Sequence, residues 1–280
     1  MKTHRSTLRH SGFVFLLGVL CLITAFAEDK APVTAESGAA VPENLQLFLL
    51  IGQSNMSGRG LVEAQDSVLI PRVFALNKDL EWVPAVDPVQ LEVKSGVGMG
   101  RSFARVLAAE NPLVSIGLVP AAVGATYLSE WVKGDDHYEN AVRRAKAAIK
   151  NGRLRGILWH QGEGDSQTQV NALTYGTRWT QFINDLRADL GDPDLPVVIG
   201  ELCRSIYRRP NGESRNAYEV NMQLATIPLT VPHCVFVASD GLKDKGDFVH
   251  FDAASQREFG RRYAHAFLQL DPTWSTIEPH

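Results

Sequence analysis

A chain of 280 residues, 45% hydrophobic and 21% charged, has enough material for a substantial core and the profile of an ordinary globular protein. Its formal net charge is -3, and neither acidic nor basic residues gather into a long block, which argues against a nucleic-acid partner or an anionic membrane surface. A small or neutral substrate fits that balance better.

The first 27 residues have the form of a cleaved secretory signal. Lys2, Arg5 and Arg9 precede the apolar run FVFLLGVLCLITAF, and Ala25-Phe26-Ala27 places small residues where a signal peptidase needs them. That run of 14 residues is short of the roughly 20 a spanning helix needs, and Leu20 before Cys21 departs from a lipoprotein signal. A secreted or periplasmic product is expected, with no membrane attachment after cleavage. Residues 28–44, rich in Pro, Ala and Glu, read as a tether, followed by one domain over 45–272 and a C-terminal tail over 273–280. Beyond the signal the cysteines are Cys203 and Cys234, which in an oxidising compartment are candidates either for a disulfide or for two buried thiols.

Within the domain, short apolar runs at 45–51, 113–120, 154–160, 195–200 and 234–238 predict five strands. Helical spacing marks 100–111, 137–152, 171–191, 214–227 and 252–270, the last opened by Asp252. The alternation predicts an α/β fold, a three-layer α/β/α sandwich around a central, mainly parallel five-stranded sheet. Between 59 and 96 the pattern lapses, and RVFALN and LEWVPA predict a small inserted hairpin around Lys78-Asp79.

Four stretches follow strand candidates and are richer in small or polar residues than a connection needs: GQSN (52–55), AAVGATYLSEW (121–131), HQGEGD (160–165) and DFVHFD (247–252). Loops at the carboxyl edge of such a sheet converge, so the four can meet. Ser54 is either a helix N-cap or a nucleophile, and the second role requires a base. His250 supplies one, and Asp247 three residues earlier can bond one imidazole nitrogen while the other faces Ser54. Candidate donors to an oxyanion are the N–H groups of Ser54 and Gly124 and the side-chain amide of Gln161 or Asn55. His160, Glu163 and Asp165, with His250, could alternatively ligate a metal, but no HExxH or paired-cysteine spacing accompanies them. Neither a metal nor any other cofactor is expected. Glu163 fits better as a residue that orients its loop, or as an auxiliary acid for His250. Trp131 is a candidate sugar platform or a core residue, and Arg101 after GVGMG belongs either to a helix start or to substrate binding.

IGQSNMSGRG, the glycine segment around Gly124, WHQGEGD and DFVHFD resemble, in order and wording, the sialate O-acetylesterase-like branch of the SGNH hydrolases, grouped with carbohydrate esterase family 6. The resemblance runs from about Leu45 to Leu270. It implies Ser54 as nucleophile, Asp247 and His250 as the Asp-x-x-His pair, Gly124 as an oxyanion donor and Gln161 in the place of the superfamily's asparagine. It leaves Glu163 as an alternative triad acid, and it alone brings Gln53 and His160 to the site, as substrate-binding candidates beside Asn55, Arg101 and Trp131. The expected activity is removal of O-acetyl groups from a carbohydrate, either acetylated xylan or O-acetylated sialic acid. The alternatives are an inactive carbohydrate-binding protein on the same fold and a metal-assisted hydrolase; oligomeric state stays open.

Overall fold

β1 (Leu45–Gly52) is buried at every position, as an unbroken apolar run demands of a strand covered on both faces. A computed structural model describes residues 44–209 and 214–278; the expected signal peptide and all but the end of the tether lie outside the described residues. Side chains of β1 alternate between two cores. Leu45, Leu47, Leu49 and Ile51 pack with α3 (Asp136–Ile149), α4 (Gln169–Leu190) and α5 (Ser214–Thr226), while Phe48 and Leu50 pack with α2 (Gly100–Glu110) and α6 (Ala253–Leu270). The result is the expected three-layer α/β/α arrangement.

The sheet has seven strands in the order β3-β2-β4-β1-β5-β6-β7. β4 (Ile116–Pro120) and β5 (Gly152–His160) flank β1 in parallel, and β6 (Val197–Gly200) and β7 (Cys234–Val237) extend the parallel sheet on the β5 side. The count of five was short by the hairpin: β2 (Val73–Leu76) and β3 (Trp82–Pro84) form it as predicted, but it is no separate insertion. β2 lies parallel to β4, with Val73 opposite Ile116 and Ala75 opposite Leu118, so the hairpin becomes the sheet edge. Local pattern shows the hairpin turn and is silent about that distant partner.

The cysteines take one of their two expected forms, and the expectation for the C-terminal tail changes. Cys203 and Cys234 are free and buried, one in the core beneath α2 and α6 and the other in the core beneath α3 to α5. With the sheet between them no disulfide joins them, and burial pushes both thiols up to about 11. The segment expected as a tail also docks: Trp274 is 1% exposed and its indole N–H donates to Leu107 O at 3.0 Å. The Asn111 side chain donates in turn to the carbonyls of Trp274 and Ile277 at 2.8 and 2.9 Å. Among the described residues, no helix is long and apolar enough to cross a membrane.

Candidate active site

The end of β1 lies against the end of β5, with Gly52 paired to His160. Gly52 has φ +129°, and a Cβ there would sit 2.1 Å from His160 O, so both the conformation and the space require glycine. The strand can therefore turn at once into α1 (Ser54–Ser57), whose first residue is Ser54. Ser54 N–H thus falls in the first turn, where a helix leaves its N–H groups without internal partners.

The loop between β7 and α6 brings the base. His250 Nε2 lies 2.9 Å from Ser54 Oγ, and His250 Nδ1 lies 2.7 Å from Asp247 Oδ2. Asp247 Oδ1 accepts the backbone N–H groups of Val249 at 3.0 Å and His250 at 2.8 Å, so the acid is oriented by its own loop. Burial opposes the Asp247 charge, but the His250 N–H, the imidazole and the Val249 N–H together outweigh it and hold the carboxyl below the ordinary aspartate value. With Asp247 oriented on Nδ1, Nε2 is left facing the hydroxyl. Ser54, Asp247, His250, Gly124 and Glu163 share a cavity of about 630 Å³.

The remaining predicted residues divide sharply. Gln53 lines the same cavity, and its Oε1 accepts the N–H of Gly164 at 3.1 Å and of Gly162 at 3.4 Å, which ties the GQSN turn to the HQGEGD loop. Gln161 is fully buried and has no hydrogen to spare for an oxyanion, because Nε2 donates to Thr126 O at 3.0 Å and Asp165 Oδ2 at 2.8 Å while Oε1 accepts from Tyr175. The side-chain amide of Asn55 is likewise spent, on Glu163 Oε1 at 2.6 Å and Val249 O at 3.0 Å. Glu163 therefore reaches Asn55, whereas the carboxylate on His250 is that of Asp247. His160 is buried between Phe251 and Phe259, with Nδ1 3.3 Å from the Tyr263 hydroxyl and Nε2 3.6 Å from Glu163 Oε1. It is not a substrate contact.

Trp131 is a core residue, stacked edge-on against Trp159 with its indole N–H on Thr126 Oγ1. Arg101 donates to the carbonyls of Ala85 and Val68 beside Asp87, and it lines a different cavity of about 360 Å³. The acids of HQGEGD diverge: Asp165 is held by Arg178 at 2.6 Å and by Leu128 N–H at 2.7 Å, away from Glu163. Among the described residues, no three His, Cys, Asp or Glu side chains converge as metal ligands.

Two residues of this cavity wall, Arg59 and Glu92, and Ser57 behind them escaped sequence reasoning. Ser57 Oγ donates to Glu92 Oε2 at 2.6 Å and Arg59 Nη2 bonds the same oxygen at 2.9 Å. Burial raises the Glu92 carboxyl, but Ser57, Arg59 and the Gly124 N–H pull it below the ordinary glutamate value. The Gly124 N–H acts electrostatically on the Glu92 carboxylate, and the N–H groups of Ser54 and Gly124 are the predicted oxyanion donors not taken up by the hydrogen bonds described. Glu92 sits in a loop with no strand or helix pattern around it, so only its spatial neighbours reveal it.

A three-layer sheet protein with a serine, histidine and aspartate hydrogen-bonded in series at the carboxyl edge of the sheet is the class that fold and site define. Residues 44–269 match the family model described as carbohydrate esterase, sialic acid-specific acetylesterase, and the chain belongs to that family. It is 32% identical over 262 residues to the probable carbohydrate esterase At4g34215 of Arabidopsis thaliana, covering 86% of this chain and 95% of that one. The X-ray structure of the Arabidopsis protein superposes with a TM-score of 0.73 at 29% identity, over 81% of this chain and 99% of that chain. The fold is shared with NanS (TM-score 0.70, 18% identity, 82% of this chain and 98% of that one). It is also shared with XAC1771, a carbohydrate acetylesterase from Xanthomonas citri (TM-score 0.62, 19% identity, 80% of this chain and 56% of that one).

Proposed function

We propose that this carbohydrate esterase is a secreted serine enzyme that removes O-acetyl groups from a sugar through an acetyl-enzyme intermediate. The observation that carries the reading is the unbroken chain Ser54 Oγ, His250 Nε2, His250 Nδ1, Asp247 Oδ2, with steps of 2.9 and 2.7 Å. Ser54 Oγ attacks the acetyl carbonyl carbon as its proton passes to His250 Nε2. Asp247 keeps Nδ1 protonated and stabilises the imidazolium that forms. The carbonyl oxygen becomes an oxyanion beside Ser54 N–H, and the tetrahedral species collapses by breaking the bond to the sugar oxygen, which takes the proton back from Nε2. Water, deprotonated by the same nitrogen, then attacks the acetyl-Ser54 ester, and acetate leaves as Ser54 regains its proton.

Gln161 takes no part in this scheme, since its side-chain hydrogens are committed to Thr126 and Asp165, and the Gly124 N–H is the second donor available to the oxyanion. The substrate is an acetylated carbohydrate: the family description points to O-acetylated sialic acid, and acetylated xylan has the same bond to break. Secretion rests on residues 1–27. Replacing Ser54 by Ala is expected to lower acetate release by at least about 10³-fold with an unchanged melting temperature. A Ser54→Ala chain that still releases acetate at near wild-type rate removes the proposal. Covalent labelling of Ser54 by a fluorophosphonate separates an active enzyme from a carbohydrate-binding relative that has lost its chemistry, and release of acetate from sialosides and acetylated xylan compared side by side identifies the sugar.

A further inference from the structure

Asn55 follows the nucleophile in the chain and is fully buried, yet the reaction scheme gives it no task. Its bonds are specific. Nδ2 donates to Val249 O at 3.0 Å, and Oδ1 accepts the N–H of Phe251 at 3.1 Å. Those two groups belong to the peptides immediately before and after His250. One side chain therefore grips the base on both sides, from the residue next to the hydroxyl that the base must reach. The second Nδ2 hydrogen goes to Glu163 Oε1 at 2.6 Å, which fixes the orientation of the amide. Gln256 of α6 donates to Asn55 O at 3.0 Å and holds the other side of the residue.

Division of labour follows from where the bonds start. The Asp247 contacts to His250 all lie within one loop, so that loop sets the orientation of the imidazole. Nothing inside the loop sets the separation of His250 from Ser54. We propose that Asn55 and Glu163 are positioning residues for the esterase reaction: Asn55 holds the His250 loop at hydrogen-bond distance from Ser54, and Glu163 acts on His250 only through Asn55. The proposal rests on the triad reading above and assigns Glu163 a role other than triad acid.

The test is steady-state hydrolysis of 4-nitrophenyl acetate from pH 5 to 9 by wild type, Asn55→Ala, Asn55→Asp, Glu163→Gln and the double variant Asn55→Asp/Glu163→Gln, with thermal melts alongside. Asn55→Ala is expected to lose kcat by about 10²-fold with KM within about threefold, the signature of a misplaced catalytic group. The pH midpoint of its kcat/KM stays at the wild-type value, because Asp247 remains beside His250. Glu163→Gln keeps kcat within about fivefold and the same midpoint, since an amide oxygen still accepts from Asn55. Asn55→Asp opposes two carboxylates and loses at least as much as Asn55→Ala. In the double variant carboxylate and amide exchange places, the bond between positions 55 and 163 returns, and about tenfold of the loss is recovered.

A folded Asn55→Ala enzyme with near wild-type kcat overturns the proposal. So does a Glu163→Gln enzyme whose pH midpoint moves, which would make Glu163 an acid acting directly on His250. Should Asn55→Ala not fold, Asn55→Asp decides, since its side chain has no hydrogen for Val249 O and a near wild-type kcat in it sinks the proposal; no recovery in the double variant sinks the role assigned to Glu163. Inactivity of the wild-type chain on every acetate ester is a separate outcome, which removes the esterase reading and this inference with it.

Discussion

Asp247 carries a charge that is useful in two ways, once to the imidazole and once to the fold. Its carboxyl titrates below the ordinary aspartate value in the folded chain. A group whose folded value lies below its unfolded one contributes stability that is fully present above the unfolded value and is lost as pH falls through the folded one. The difference in melting temperature between wild type and Asp247→Asn should therefore narrow as pH falls from the ordinary aspartate value of about 4 through the lower folded one, as far as the fold survives. Calorimetry across that range checks it, and a gap that stays open at the acid end contradicts it. The same residue shows what single positions reveal. The alignment of Ser54, His250 and Asp247 was legible because an acid and a base stand at a workable spacing after a strand, which lifts Ser54 above a helix cap. Gln161 was misread because sequence shows the residue type and not the direction of its donors, while Trp131 and Arg101 take the structural alternatives, core and helix start, that the sequence left open. Only the structure shows Gln161 turned to Thr126 and Asp165, and Trp131 packed under Trp159.

At the scale of elements, the meeting of β1 and β5 positions both the proposed nucleophile, Ser54, and the HQGEGD loop. Gly52 lies opposite His160, and Gln53 N–H continues the pairing to His160 O at 2.9 Å before Gln53 Oε1 crosses to Gly164. A side chain at position 52 would force these two strand ends apart. Gly52→Ala is expected to cost about 1–3 kcal/mol for the backbone conformation alone, with a further cost from the clash against His160 O. Denaturant unfolding measures the loss, and activity at a temperature where the variant is still folded should fall as well, since Ser54 is two residues away. An unchanged unfolding midpoint would contradict the steric account. Strand and helix identities followed from apolar period in the chain, including the Asp252 cap, whose carboxylate accepts Ser255 N–H at 2.7 Å. The hairpin's place at the sheet edge and the docking of Trp274 did not, since both depend on contacts with segments far away in sequence.

Over the whole molecule, the sheet is a wall between two cores that share little besides β1 and its neighbours. Each core holds one cysteine, and burial keeps both thiols protonated. A chain lacking residues 1–27 should show no thiol reactive towards a small disulfide reagent while folded and two after denaturation. One or none on denaturation under non-reducing conditions would mean that the cysteines are oxidised. The partition was invisible in the sequence because which side of a sheet a cysteine faces depends on strand register, and Cys203 lies beyond the end of its strand.

The Asp247–His250 loop lies between the last strand and the last helix; Asn55 ties it to the Ser54 helix, and Gln256 bonds Asn55 O from that last helix, whose Phe267 packs against Trp274. During synthesis the hydroxyl of Ser54 is made early and waits for most of the chain before a base exists for it. A nascent chain can thus complete its sheet and still be harmless to any ester it meets. Catalytic competence becomes a record that the final helix has been made and has docked.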